Sequence, residues 1–356
     1  MKLTFLGDIF PSDEPFSAGF GIRSLFEKGN CESWESHLRE LTEGADIAIG
    51  NLESPLLPSE QAQRPDFYGS PDFAAFLSRC GLTALNVANN HILEHGTCGF
   101  SSTVSILEQV GLRVVGHHYQ VSYFQKGSCR IAIAGFCGVD IDRFENKDCI
   151  SELSLLHIKT ALVEMDEQKA DLKILYLHWG NEYTHLPSPE QRELAYEAIN
   201  CGADIVMGHH PHVIQPYEPY RHGHIFYSLG NCCFDNPFQS RQFSKGMGVT
   251  IDFNEETKHI EHICFFGIKL RQHDLLKKMP TTTFQRYFDR IGRRYKRLSS
   301  RPDYAALYAR QLRRRHFAER LLMKLSLPVL WWHLTAEERT CLRRNLKNIY
   351  LKKSNV

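Results

Sequence analysis

Two imidazoles one residue apart, His210 and His212, flank Pro211 in the segment HHPHVIQPYE, His209 to Glu218. The proline fixes the backbone between them. The short apolar run before them, Ala203 to Met207, reads as a strand whose end can aim both rings into one cleft. A paired arrangement of this kind suits a borderline transition metal. Clustered histidines in loops also serve as plain hydrogen-bonding groups, so the reading turns on what the rest of the chain supplies.

Four further apolar runs end in side chains able to hold a metal. Leu3 to Leu6 leads into Gly7-Asp8, and Ala45 to Ile49 into Gly50-Asn51-Leu52-Glu53. Leu82 to Val87 empties into Asn89-Asn90-His91 and then Glu94-His95-Gly96, and Leu172 to Leu177 into His178-Trp179-Gly180-Asn181-Glu182-Tyr183. FYSLGN, Phe226 to Asn231, follows the histidine pair. Taken singly, each candidate has a bland reading: Asp8 and Asn51 as turn or cap residues, Glu53 as a surface carboxylate, His178 as a core-edge histidine. Five strand ends carrying such groups at once are better explained by one site, because ligands in open α/β sheets lie beyond the carboxyl ends of the strands.

The elements that must position these groups alternate between strand and helix. Phe73, Phe76 and Leu77 are spaced for one helical face, as are Val104, Leu107 and Val110, and Gly81 and Gly111 stand where such helices stop. This alternation predicts a layered α/β fold. At 356 residues and 42% hydrophobic, the chain fits one moderately large globular domain with an appendage, without internal repeats.

The motifs GDI, GNLESPL, NVANNHILEHG, LHWGNEY, GHHPHVIQPYE and YSLGNCCFD, in that order, resemble the CapA family of capsule and poly-γ-glutamate synthesis proteins, over roughly residues 1 to 255. That family looks like a branch of the calcineurin-like metallophosphoesterases. The resemblance implies a layered sandwich of β-sheets flanked by helices, with a helical C-terminal extension. It also implies one or two divalent ions, Mn, Fe or Zn, held by Asp8, Glu53, Asn90, His178, His210 and His212, with Glu53 as the bridging carboxylate. His91 stands at the position of the catalytic histidine, where it would protonate a leaving oxygen, with Glu94 or Asn89 orienting it. Asn51, Glu182, Tyr183, Asn231 and Asp235 are expected on the substrate side. The chain departs from the superfamily pattern at Phe10, where a histidine is usual, at Glu94 in place of an aspartate, and at Cys232 in place of the phenylalanine of LGNF.

The resemblance further implies a hydrolase of a phosphoester or related bond in capsule, poly-γ-glutamate or exopolysaccharide synthesis. The contrasting expectation is a non-catalytic factor that binds the polymer or assembles a synthase. Expected partners are a polyanionic polymer or phosphorylated precursor and components of a capsule synthase.

The net charge of +1 hides a split. From Arg271 onward there are 22 Lys and Arg against 6 Asp and Glu, and before it 20 against 35. Residues 1–268 are expected to form the metallophosphoesterase-like domain and 269–356 a basic helical extension, with Phe284, Phe288 and Ile291 on one helical face. Such an extension either docks on the acidic domain or lies on a membrane surface, the latter suggested by the tryptophan pair in LSLPVLWWHL, Leu325 to Leu334. That run is about half the length needed to span a bilayer. Nucleic acid is the weakest partner reading, since clustered arginines attract phosphate without reading bases.

MKLTFLGD enters a strand at once, without an apolar leader or a small-residue cleavage site. The expectation is therefore a cytoplasmic protein without a signal peptide or anchor, with peripheral contact at the inner membrane surface. Eleven cysteines, an odd number without CxxC, fit a reducing compartment. Cys129, Cys137 and Cys264 lie within apolar runs, where burial is expected.

Overall fold

The computed structural model describes residues 1–29, 31–234, 243–270 and 276–353. In chain order the strands are β1 Lys2–Ile9, β2 Ile47–Leu52, β3 Ala84–Asn86, β4 Arg113–Val115, β5 Ser122–Lys126, β6 Cys129–Cys137 and β7 Leu172–His178. They continue as β8 Ile205–His209, β9 Tyr217–Tyr220, β10 Gly223–Phe226, β11 Asn231–Cys233, β12 Lys245–Phe253, β13 Ile260–Lys269 and β14 Lys277–Lys278. The helices are α1 Ile22–Glu27, α2 Glu32–Thr42, α3 Asp72–Arg79, α4 Gly96–Gln109, α5 Leu155–Glu167, α6 Pro189–Asn200, α7 Thr281–Ser299, α8 Tyr304–His333 and α9 Ala336–Lys353.

The strands form two sheets. One has the order β14-β13-β12-β1-β2-β3-β4, with β11 also paired to β1, and the other the order β5-β6-β7-β8-β10-β9. Side chains alternate across each strand, so each sheet has an inner and an outer apolar face. Leu3, Phe5, Ile47 and Ile49 of the first sheet share an inner core with Ile131, Ile133, Ile174, Tyr176 and Met207 of the second. Outward, Leu6, Ile9 and Leu52 pack with Phe73, Phe76 and Leu77 of α3 and Leu107 of α4. On the other side Ala132, Ala134 and Phe136 pack with Ile158 and Leu162 of α5 and Ala195 of α6. The molecule is thus a layered α/β sandwich, helices outside and two sheets within.

Gly81 and Gly111 end α3 and α4 with φ of 87° and 79°, a left-handed backbone in which a side chain would be strained. The ligand-bearing strands do not share a sheet: β1, β2 and β3 lie in one and β7 and β8 in the other. One cysteine departs from its expected burial. Cys129 and Cys137 are buried, but Cys264 is exposed, because it falls on the outward-facing side of β13.

The helices after residue 268 rest on the sandwich. Phe284 and Ile291 of α7 join the inner core and Phe288 packs beside them. Tyr295 of α7 and Tyr304 and Tyr308 of α8 join the outer core of the second sheet. Leu334 and Leu342 close a small cluster with Phe20, and the Asn345 amide of α9 donates to the carbonyls of Phe16 (3.2 Å) and Ala18 (3.0 Å).

Candidate metal centre

Strand register brings the polar residues side by side. Across the first sheet Asp8 pairs in parallel register with Asn51 and with Asn231, and Asn51 with Asn86. Across the second, His178 pairs with His209. The two rungs face each other at the carboxyl ends of the strands. They are joined by Tyr176, whose hydroxyl donates across the sandwich to the carbonyl of Leu6 at 2.9 Å and whose ring carries His209 at 4.3 Å between centroids.

The backbone is shaped to allow this convergence. Gly7 is required because a Cβ there would overlap the Gly230 carbonyl, to which the Asp8 N–H donates at 2.9 Å. His210 and His212, either side of Pro211, have φ of 91° and 54°, and Tyr183 has 69°. Non-glycine residues in this region cost about 1–3 kcal/mol each and persist only where the surroundings hold them. Three of them at one cleft mark it as a place where side-chain direction outweighs backbone comfort. The segment carrying Glu182 and Tyr183 is also pinned from behind, where Ser188 and Gln191 form a capping box with Pro189 at the start of α6.

Asp8, Glu53, His178, His210 and His212 are all buried. With Glu182 they form three triangles of ligand atoms, each closed within 4.8 Å: Glu53–His178–His210, Asp8–Glu53–His212 and Glu182–His210–His212. Asn90 adjoins the first, its Oδ1 lying 2.8 Å from His178 Nε2. The six residues expected to bind metal therefore meet in one cleft, and Glu182, expected on the substrate side, lies within ligand reach as well.

Asn51 and Asn231, both expected on the substrate side, lie in contact with the ligand residues. Asn51, expected to touch substrate, is fully buried and saturated: its Nδ2 donates to Asp8 Oδ1 (2.9 Å) and lies 3.2 Å from His178 Nδ1, while its Oδ1 accepts from Asn86 (2.8 Å). It thereby touches ligand residues of both sheets. Asn231 is likewise buried, its Oδ1 accepting from His212 Nδ1 at 2.9 Å and its Nδ2 donating to the Phe243 carbonyl at 3.1 Å. It fixes which nitrogen of His212 faces the cleft. Asp235 lies outside the described residues. Tyr183 stands half-buried at the mouth, its ring against Phe243 and His316.

The electrostatics are those of a site built around cations. Burial would raise Asp8, but hydrogen bonds and charge from His209 and His212 hold its carboxyl well below the usual carboxylate range. Burial drives Glu53 well above that range, against the attraction of His212. Burial alone would depress His212, yet Glu53 and Asp8 push it up to about 10. Burial lowers His210 to about 4, against the attraction of Glu182 and Asp8. Both oxygens of Glu53 and Nδ1 of His210 are buried without a hydrogen-bond partner, and Glu53 comes only within 3.5 Å of His178 Nε2 and His212 Nε2. A buried carboxylate with no donor is costly, and one surrounded by imidazoles fits a bound cation.

Beside this cluster, His91 donates from Nδ1 to Glu94 Oε1 at 2.9 Å, the direction set by the carboxylate being acceptor-only. Its ring stacks on Phe67 at 4.8 Å, and the Asn89 side chain accepts from its backbone N–H at 3.2 Å. Burial lowers His91 despite Glu94. Glu94 is held below its usual value, against burial, by His91, Arg143 and Arg64. The two arginines touch Glu94 at 2.5 and 2.9 Å, and Arg143 also donates to the Asn90 carbonyl at 2.6 Å. Arg64, Arg143, Asn86 and His209 escaped the sequence reading. Arg64 lies in a loop and Arg143 ends a short 3-10 turn, neither within a motif, while His209 adjoins the HPH pair.

A two-sheet α/β sandwich with carboxylate, carboxamide and imidazole groups converging from strands of both sheets is the class of protein that fold and site define. The chain belongs to the bacterial capsule synthesis protein family PGA_cap, whose model matches residues 2–236 and so spans every strand end of the cleft. It is 30% identical over 253 residues to the capsule biosynthesis protein CapA of Bacillus anthracis, covering 66% of this chain and 60% of that protein. It is 29% identical over 248 residues to the PGA biosynthesis protein CapA of Bacillus subtilis (strain 168), covering 66% and 63%. The chain thus spans less than two thirds of the length of these relatives. Among solved structures, a calcineurin-like phosphoesterase, YfkN from Bacillus subtilis, aligns over 82% of this chain and 97% of that chain at 12% identity, with a TM-score of 0.45.

Proposed function

We propose that the cleft is the active site of a metal-dependent hydrolase of the calcineurin-like type, acting on a phosphoester or related bond in the synthesis of a capsule, poly-γ-glutamate or exopolysaccharide. The observation that carries this reading is the Glu53 carboxylate, buried, with both oxygens lacking a donor, and ringed by imidazoles from the other sheet. Its donor set of carboxylate, amide oxygen and imidazole suits Mn, Fe or Zn. Asp8, Glu53, Asn90, His178, His210 and His212 would hold one or two ions, with Glu182 within reach of a second. Bound there, a divalent ion supplies positive charge for a developing oxyanion and a more acidic water.

The chain's own residues do the rest. Glu94 holds His91 by its Nδ1–H, leaving Nε2 to exchange a proton with a leaving oxygen. Asn51 and Asn231 keep ligands from shifting as charge develops, and Tyr183 lines the way in. A test is Mn-stimulated hydrolysis of bis-p-nitrophenyl phosphate by the full chain and by Glu53→Gln. Turnover in the wild type and its loss in the variant support the enzyme reading; metal bound in both with turnover in neither removes it.

One observation favours a second reading, a non-catalytic polymer-binding or assembly factor. Phe10, two residues after Asp8, stacks on Phe234 at 4.9 Å and meets the His91 ring edge-on at 6.0 Å, so an apolar ring stands where another ligand would extend the site.

Among the described residues, no helix is long and apolar enough to cross a membrane. Within the proposal, residues 1–268 carry the chemistry, and 269–356 hold the protein against an anionic membrane surface or a synthase component. On α8, Phe317 (70% exposed), Leu321, Leu325 and Trp332 (78% exposed) fall within one narrow arc of the helix, and Arg320 and Lys324 flank it. The tryptophan pair divides its work, for Trp331 packs into the cluster with Leu334 and Leu342. Trp332→Ser is expected to abolish binding to vesicles containing anionic lipid; undiminished binding would remove the membrane contact.

A further inference from the structure

Between α7, α8 and the loop that follows Tyr183 lie two adjoining cavities of about 500 and 410 Å³. Arg297 and Arg314 line the first, Lys245 and Arg290 the second, and Arg294, Arg315 and Leu186 belong to both. Among the described residues, no carboxylate forms an ion pair with any of these six cations. The repulsion is felt within the group. Arg294 is lowered by burial and by Arg315 and Arg297, and Lys245 by burial and by Arg290 and Lys269. Like charges concentrated in a concave, partly dry groove, without a paired carboxylate among the described residues, raise the local potential for anions.

The groove is tied to the metal cleft by covalent continuity and by a hydrogen-bond chain. Arg294 Nη2 donates to Gln311 Oε1 at 2.6 Å, and Gln311 Nε2 donates to Thr184 Oγ1 at 3.0 Å. Thr184 follows Tyr183, whose ring meets His316 of α8 at 5.4 Å. The loop that presents Glu182 to His210 and His212 therefore turns directly into the wall of the groove at His185 and Leu186.

We propose that this groove binds a linear polyanion whose successive units each carry a carboxylate or phosphate, and that it leads the chain past Tyr183 to the metal cleft. Guanidinium groups match both oxyanions with forked hydrogen bonds. Two cavities in series, sharing Arg294 and Arg315, suit several regularly spaced anions better than one. The inference deepens the proposed function and rests on it for what lies at the end of the groove; binding in the groove itself needs no metal.

Fluorescence anisotropy with labelled poly-L-glutamate and labelled linear polyphosphate, on the full-length protein at low and high salt, tests it. The variants are Arg294→Gln/Arg315→Gln, the exposed single change Arg297→Glu as a guard against a packing effect, and His210→Ala. The wild type is expected to bind at least one of the two polymers, with affinity falling as salt rises. His210→Ala is expected to bind like the wild type, the double variant at least ten-fold more weakly, and Arg297→Glu measurably more weakly. Wild-type affinity in both groove variants overturns the proposal. So does competition by inorganic phosphate as effective, per anionic group, as by either polymer, and so does binding only to anionic vesicles. Loss of metal from His210→Ala with polymer binding unchanged bears on the metal reading alone, so the two can fail separately.

Discussion

The metal cleft and the basic groove both gather charged side chains in a small volume, and they do so in opposite ways. In the cleft the charges are of both signs, buried, and locked to each other and to carboxamides: Asp8 to Asn51, His178 to Asn90, His212 to Asn231. In the groove they are of one sign, half-exposed or exposed, and without carboxylate partners among the described residues. The first arrangement fixes directions, which is what holding an ion and aligning a reacting bond require. The second leaves long side chains free to adapt to a flexible chain.

The comparison predicts different failures. In the cleft, His91→Ala is expected to keep the metal and lose about 10²- to 10⁴-fold in turnover, the usual span for removing a general acid. Equal turnover in variant and wild type would take His91 out of the chemistry.

In the C-terminal region the sensitive point is Glu218, the last residue of the GHHPHVIQPYE motif. It accepts from the hydroxyls of Tyr196 (2.9 Å), Tyr227 (2.8 Å) and Tyr295 (2.5 Å), and so ties α7 to the second sheet. Glu218→Ala strands those hydroxyls and is expected to cost about 3 kcal/mol in chemical denaturation, with metal content unchanged. A variant as stable as the wild type would show that α7 is held by its apolar face alone. A smaller effect is expected for Asn51→Ala, which loosens Asp8 and His178 together and should weaken metal affinity about 10- to 100-fold, read by competition with a chelator.

How much of this was legible in the sequence follows from the same contrast. Asp8, Glu53, Asn90, His178, His210 and His212 each follow an apolar run, and a strand end fixes where the next residues go, so their convergence could be anticipated. The sequence did not reveal that β1 to β3 and β7 to β8 belong to facing sheets, because a continuous apolar run reports that a strand is buried on both sides without naming its neighbours. For the same reason Asn51 and Asn231 were expected to touch substrate. Their contacts depend on register with Asp8 and on packing against His178 and His212, which are tertiary facts. Arg64 and Arg143, far apart in the chain, meet only at Glu94. In the C-terminal region the basic clusters were visible, but the groove was not, since it forms only when the tyrosines of α7 and α8 dock on the second sheet.

The central claim is that the buried carboxylates and imidazoles are a metal centre, and elemental mass spectrometry of the full-length protein beside His210→Ala tests it most directly. The account predicts Mn, Fe or Zn in the purified wild type and little or none in the variant, with unchanged circular dichroism. A wild type that takes up no divalent ion under any loading condition, or a folded variant that keeps the full wild-type content, would contradict it.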